Sequence, residues 1–197
     1  MQTINFVTSN KEKVLLAQTV GRSAGVEIKQ VELEIGELQG EDPEAIVKDK
    51  AFSAYKLLGR PLVVSDDTWD IPALNGFPGP YMKSINHWFK PEDFIRLMDG
   101  IKNKKIILHQ YLAYYDGSQM KLFKNDIHGS IIDKPKGVNL RSPNTTVTVL
   151  DADDGKTIAE VFELGQAAVV NRYRNRPDAW HSFIEWFVNS APSAGLH

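Results

Sequence analysis

Two adjacent carboxylates, Asp66 and Asp67, follow the apolar run Leu62-Val63-Val64. A short run of this kind reads as a buried strand, and open α/β sheets bind ligands beyond the carboxyl ends of their strands. Chemistry is therefore expected where these aspartates leave the strand. Successive strand side chains point to opposite faces, so the two divide their roles unless the chain bends between them. Downstream, Asn75-Gly76 and Pro78-Gly79-Pro80 are turn formers that fold the segment back as a glycine-containing wall for a ligand to lie against. An isolated Asp-Asp is also what an acidic strand exit capping a turn looks like, so the pair needs companions.

The companions are cations. The chain has no cysteine, which removes disulfides, thiolate catalysis and cysteine zinc sites together. Histidines 87, 109, 128, 181 and 197 form no i, i+4 pair, and neither a Gly-x-x-x-x-Gly-Lys loop nor a Gly-x-Ser-x-Gly elbow is present. Carboxylates with scattered lysines and arginines remain. That set suits a hard divalent cation, Mg²⁺, holding a polyphosphate: the ion keeps most of its waters and takes one or two protein carboxylates, and basic side chains meet the other phosphate oxygens. Glu44 follows Asp42-Pro43 at a helix start, where the helix dipole favours an acid and is a sufficient explanation of it. Helical spacing makes Lys48 its neighbour and turns Lys50 toward another face. Lys83 stands alone after the wall.

The elements that position these groups alternate between helix and strand. Thr3 to Thr8 reads as a strand, and Ser9-Asn10-Lys11-Glu12-Lys13 opens a helix with Val14, Leu15, Ala17 and Val20 on its apolar side. The junction presents unpaired N–H groups and the positive dipole end to an anion, with Lys13 one turn from Asn10. An ordinary Asn cap with solvated lysines accounts for the same residues. Gly25 to Leu38 is a peripheral strand with one wet face, and the helix from Pro43 ends at Gly59. A short helix runs from Pro91 toward Gly100. Lys104 to Tyr115 and Gln119 to Asn125 form a hairpin across Asp116-Gly117, and strands at Gly129–Asp133, Thr145–Leu150 and Thr157–Val161 complete an antiparallel lobe. A last helix from Pro177-Asp178 carries Trp180, Phe183, Ile184, Phe187 and Val188 inward, and the tail from Ser190 is expected to fray.

With 197 residues, 42% hydrophobic and 24% charged, one domain of two lobes is expected. No segment reaches the length of a membrane span, and the start lacks a signal peptide's regions, so a cytoplasmic location is expected. A net charge of −2 argues against a broad nucleic-acid face and still allows a local basic pocket.

Four stretches resemble one family, the inosine triphosphate pyrophosphatases or Ham1-like nucleoside triphosphate pyrophosphatases. Thr8-Ser9-Asn10-Lys11-Glu12-Lys13 resembles that family's triphosphate-holding Thr/Ser-x-Asn-x-x-Lys signature. Gln39-Gly40-Glu41-Asp42-Pro43-Glu44 is similar to the run carrying its metal-binding glutamate, and Ser65-Asp66-Asp67-Thr68 to its catalytic acidic pair. Ala73-Leu74-Asn75-Gly76-Phe77-Pro78-Gly79-Pro80-Tyr81-Met82-Lys83 is similar to its Ala-Leu-x-Gly-x-Pro-Gly-Pro-Tyr-x-Lys stretch. The four occur in the family's order, which makes them more specific together than singly.

The second half departs. Where the family has Gly-aromatic-Asp-Pro-x-Phe against the base, this chain has Leu140-Arg141-Ser142-Pro143-Asn144-Thr145, with no ring and with Asn144 in the aspartate's place. Arg174-Asn175-Arg176 aligns with the family's Ser-His-Arg and keeps the arginine. Arg141, Tyr173 and Trp180 are the other groups able to stack on a base. The resemblance implies an α/β fold with a long twisted mixed sheet, flanking helices and an antiparallel lobe forming a central cleft, and a homodimer. It further implies Mg²⁺-dependent hydrolysis of a non-canonical nucleoside triphosphate to monophosphate and pyrophosphate. In that reading Glu44 and Asp67 hold the metal, Asp66 and Asp67 are catalytic, and Thr8, Ser9, Asn10, Lys13, Lys50, Lys83, Asn144 and Arg176 bind substrate. Neither a nucleic-acid polymer nor a membrane is an expected partner. Two alternatives stand beside it: a nucleotide-binding regulatory protein of the same fold with little turnover, and a pyrophosphatase for a different modified nucleotide.

Overall fold

A computed structural model describes residues 2–36, 38–138, 142–175 and 177–190, with the side chains of 173–175 left aside. The expected frayed tail, 191–197, lies outside the described residues. The chain divides into two compact units: Met1–Asp66, Tyr111–Asn125 and Pro177–His197 in the first, Asp67–Gln110 and Asp126–Arg176 in the second. The division falls between the two aspartates.

In the first unit, β1 (Gln2–Val7) pairs in parallel with the edge strand β2 (Val26–Val31) and with β3 (Leu62–Ile71), which continues into the second unit. Helices α1 (Lys11–Ser23) and α2 (Pro43–Leu58) connect these parallel strands, as a crossover must. Both begin on side-chain caps: the Asn10 carboxamide oxygen accepts from the N–H groups of Glu12 (2.9 Å) and Lys13 (3.3 Å), and Asp42 accepts from Glu44 N–H. Gly59 ends α2 in the left-handed region at φ 65°, closing a bond to the Tyr55 carbonyl that a branched residue would strain. Val47, Ala51 and Ala54 of α2 pack with Val7, Leu62 and Val64. The inward face of α1 is Val14, Leu16, Ala17 and Val20; Leu16 rather than Leu15 is the buried leucine.

The second unit begins partway along β3. A 3₁₀ turn at Pro72–Leu74 and left-handed Asn75 and Gly76 fold the chain back, so that β4 (Phe77–Gly79) runs antiparallel against Trp69, Asp70 and Ile71. Helices α3 (Met82–Trp88) and α4 (Pro91–Leu97) supply Met82, Ile85 and Phe94 to a core with Ile71, Met98, Ile106, Ile131 and Val147. Strands β5 (Lys105–Tyr115) and β6 (Met120–Ile131) form the expected hairpin, and β7 (Thr148–Leu150) pairs antiparallel with β6. The sheet order is β2-β1-β3-β5-β6-β7, with β4 on β3. Helices α5 (Ile158–Glu163), α6 (Gln166–Asn175) and α7 (Ala179–Ser190) end the chain. In the first unit, Trp180 and Phe183 of α7 are buried, with Trp180 edge-on to Phe6 at 4.7 Å.

Four local expectations are corrected. The aspartates do not sit at a strand end, because β3 runs on to Ile71, four residues past Asp67, with Trp69 to Ile71 paired to β4. Asn125 and Gly129 belong to one continuous β6, since nothing between them breaks the ladder. Thr157 to Val161 is not a strand: Thr157 caps α5, its hydroxyl accepting from Glu160 N–H while the Glu160 carboxylate accepts from Thr157 N–H. At the end of α7, Val188 faces solvent, and helices α3 and α6 had no counterpart in the sequence reading.

Candidate functional site

Asp66 and Asp67 are both half-buried in the middle of β3, between the buried Ser65 and Thr68. Strand alternation sends them to opposite faces.

Within the first unit, the family-like start of the chain is locally tied: the Thr8 hydroxyl accepts from Asn10 N–H at 3.1 Å, and Asn10 caps the turn carrying Lys13. The Asn10 carbonyl oxygen is thus committed to the cap. Ser9 is exposed ahead of the N-terminal turn of α1, a helix end of the kind that suits an anion. Lys50 reaches from α2 to the Ser65 carbonyl, 3.4 Å away, placing its ammonium beside the residue that precedes Asp66. Lys48 turns the other way, as the helical spacing requires, and lies 3.5 Å from Glu44 Oε2. The Glu44 Oε1 atom contacts the Lys124 ammonium, contributed by β6. That contact, followed by Lys48, holds Glu44 below the usual carboxylate range, and the same contact raises Lys124. Glu44 is therefore a firmly ionised, hard-oxygen carboxylate.

The second unit holds Asp67, Lys83, Asn144 and a group the sequence reading did not bring together. His109 Nδ1 lies 2.6 Å from Asp126 Oδ1 and His109 Nε2 lies 3.5 Å from Asp70 Oδ2, so one imidazole bridges carboxylates of β3 and β6. The other Asp70 oxygen, Oδ1, is buried with no hydrogen-bond partner among the described residues. A signal for half of this existed: Asp116 N–H bonds the Gln119 carbonyl, and counting equally outward from that turn puts His109 opposite Asp126 and Tyr111 opposite Lys124. Lys83 is an exposed residue of the first turn of α3. Asn144 is wholly buried; its Oδ1 contacts the Ser142 hydroxyl, which also lies 2.7 Å from Asn86 Oδ1, and its amide nitrogen has no partner among the described residues. Arg176 and the base-side positions Leu140 and Arg141 lie outside the described residues. Trp180 is core, so it offers no free ring for a base.

Among the described residues no group of three or more acidic, histidine or cysteine side chains is arranged to hold a metal, and no helix is long and apolar enough to cross a membrane. A Mg²⁺ ion carried by a polyphosphate needs only one or two carboxylates, so Glu44 and Asp67 suit it by donor type.

The chain matches the Ham1 family over residues 4–186. It is 27% identical over 183 residues to a dITP/XTP pyrophosphatase of Saccharolobus solfataricus, covering 93% of this chain and 92% of that one. It is 31% identical over 138 residues to an inosine triphosphate pyrophosphatase of Tuber melanosporum, covering 69% and 74% respectively. Its fold matches that of a HAM1 protein from Coxiella burnetii with a TM-score of 0.75 at 18% identity, over 96% of this chain and 100% of that one. A match that begins in β1 and ends in α7 spans both units and every candidate residue named above, and the chain accordingly belongs to the Ham1 family.

Proposed function

We propose that this protein is a nucleoside triphosphate pyrophosphatase that removes non-canonical nucleotides, cleaving the α–β phosphoanhydride to give a monophosphate and pyrophosphate. The observation that carries this is the nearly end-to-end similarity to a protein named dITP/XTP pyrophosphatase. The site chemistry supports it. Glu44 and Asp67 are the groups to hold Mg²⁺, which when bound would neutralise charge on the phosphates. One carboxylate of the Asp66/Asp67 pair orients the attacking water and takes its proton. Thr8, Ser9, Asn10, Lys13, Lys50, Lys83 and Arg176 receive the phosphate oxygens, with α1 offering its N-terminus. The resemblance adds a homodimer acting in the cytoplasm, with no role for nucleic-acid polymers or membranes.

The base half reads differently. Large rejection of a wrong base needs a site whose polar groups are left unpaired by it. Asn144, in the place of the family's aspartate, is buried and engaged with Ser142, and Trp180 is spent in the core. Weak discrimination among bases is the consequence. The test is product analysis: with inosine triphosphate and Mg²⁺, equal amounts of inosine monophosphate and pyrophosphate are expected, and both cease on chelation. Release of orthophosphate, or no release at all, would sink the proposal.

A further inference from the structure

Glu44 carries a cation on each carboxylate oxygen. Lys124 contacts Oε1 and Lys48 lies 3.5 Å from Oε2. The two are not equivalent. Lys48 is one helical turn along α2, the spacing at which a Glu-Lys pair on one helix meets whatever else the site does. Lys124 comes from β6, far away in sequence, and its ammonium meets Glu44 Oε1 directly. A Mg²⁺ ion takes an oxygen at about 2.0–2.1 Å, inside the space an ammonium holds on that oxygen. An ion on Glu44 therefore has to displace Lys124 or work against its charge at short range.

We infer that Lys124 is an internal counter-cation for Glu44, closing this carboxylate to a bare divalent ion and yielding when the ion arrives on a polyphosphate. The inference rests on reading Glu44 as a metal-holding residue. A free ion brings only positive charge to a carboxylate already neutralised, whereas a metal–triphosphate complex also brings anionic oxygens that accept the displaced ammoniums of Lys124 and Lys48. Metal and nucleotide then bind as one unit rather than metal first. Lys124 is a positioning residue in this scheme, not a catalytic one.

The test is Mn²⁺ binding to the full chain, read as free Mn²⁺ by electron paramagnetic resonance, first without nucleotide and then with inorganic triphosphate. Lys124 is half-exposed, so Lys124→Gln is expected to fold. Without triphosphate, Lys124→Gln is expected to bind Mn²⁺ about tenfold more tightly than the parent, and Lys124→Arg like the parent. With triphosphate that advantage shrinks or reverses. Glu44→Gln should bind most weakly of all. If Lys124→Gln binds bare Mn²⁺ no more tightly than the parent while Glu44→Gln still loses it, Lys124 only ties α2 to β6 and the inference is overturned with the metal reading intact. If Glu44→Gln binds like the parent, Glu44 holds no metal and both fall.

Discussion

Asp67→Asn removes a charge from the middle of β3 and little volume. The side chain is half-buried and keeps its size, so packing changes little, and turnover is expected to vanish with the fold intact. A purified variant that hydrolyses substrate within about threefold of the parent, well under 1 kcal/mol of transition-state stabilisation, would contradict this. At this scale the sequence was legible where chemistry and local structure coincide. Asn10, Asp42, Glu44, Lys48 and Lys50 could be placed because caps and helical spacing fix neighbours within a turn. Asp70 was invisible as a partner of His109, because a contact between β3 and β5 depends on which strands become neighbours, and spacing along one strand does not encode that.

At the scale of elements, the strand-to-strand approach of β6 and β7 depends on Gly129. A methyl group there would stand 2.5 Å from the Val149 carbonyl oxygen and 3.0 Å from Leu150 Cδ2, and the first of these is backbone that cannot swing away. Gly129→Ala is expected to cost about 1–3 kcal/mol, measured as a shift in the urea midpoint. An unchanged midpoint would show that β7 can move off at no cost. The misassigned element is next door. Ile158-Ala159-Glu160-Val161 is a short, partly apolar run that periodicity cannot assign, and the Thr157/Glu160 capping box was the decisive signal. Helix α6 escaped for a different reason: Gln166 to Asn175 has only a weak apolar stripe, and composition alone does not mark it as a helix. The hairpin, by contrast, followed directly from Asp116-Gly117.

Across the whole molecule, stability should depend on pH through His181, hydrogen-bonded at 2.8 Å to the buried carboxylate of Asp178 at the start of α7. That bond raises the imidazole above its ordinary value of 6.5. A raised folded-state pKa means stabilisation fully present below about 6.5 and lost as pH climbs through the raised value. The melting-temperature difference between parent and His181→Asn should accordingly narrow on going from pH 6 to pH 8.5; a difference that stays constant would show that the proton plays no part. The resemblance to the family holds from Thr8 to Lys83 and departs at Leu140 to Asn144. The activity proposed for this pattern keeps pyrophosphate chemistry and reduces base selectivity. It is tested most directly by kcat/KM for pyrophosphate release with Mg²⁺ across natural and modified nucleoside triphosphates. The expected profile has measurable turnover with inosine triphosphate ahead of the other nucleotides by much less than ~100-fold, about 2.7 kcal/mol. No pyrophosphate from any nucleotide, or a lead of inosine triphosphate of ~100-fold or more over every other, would contradict it.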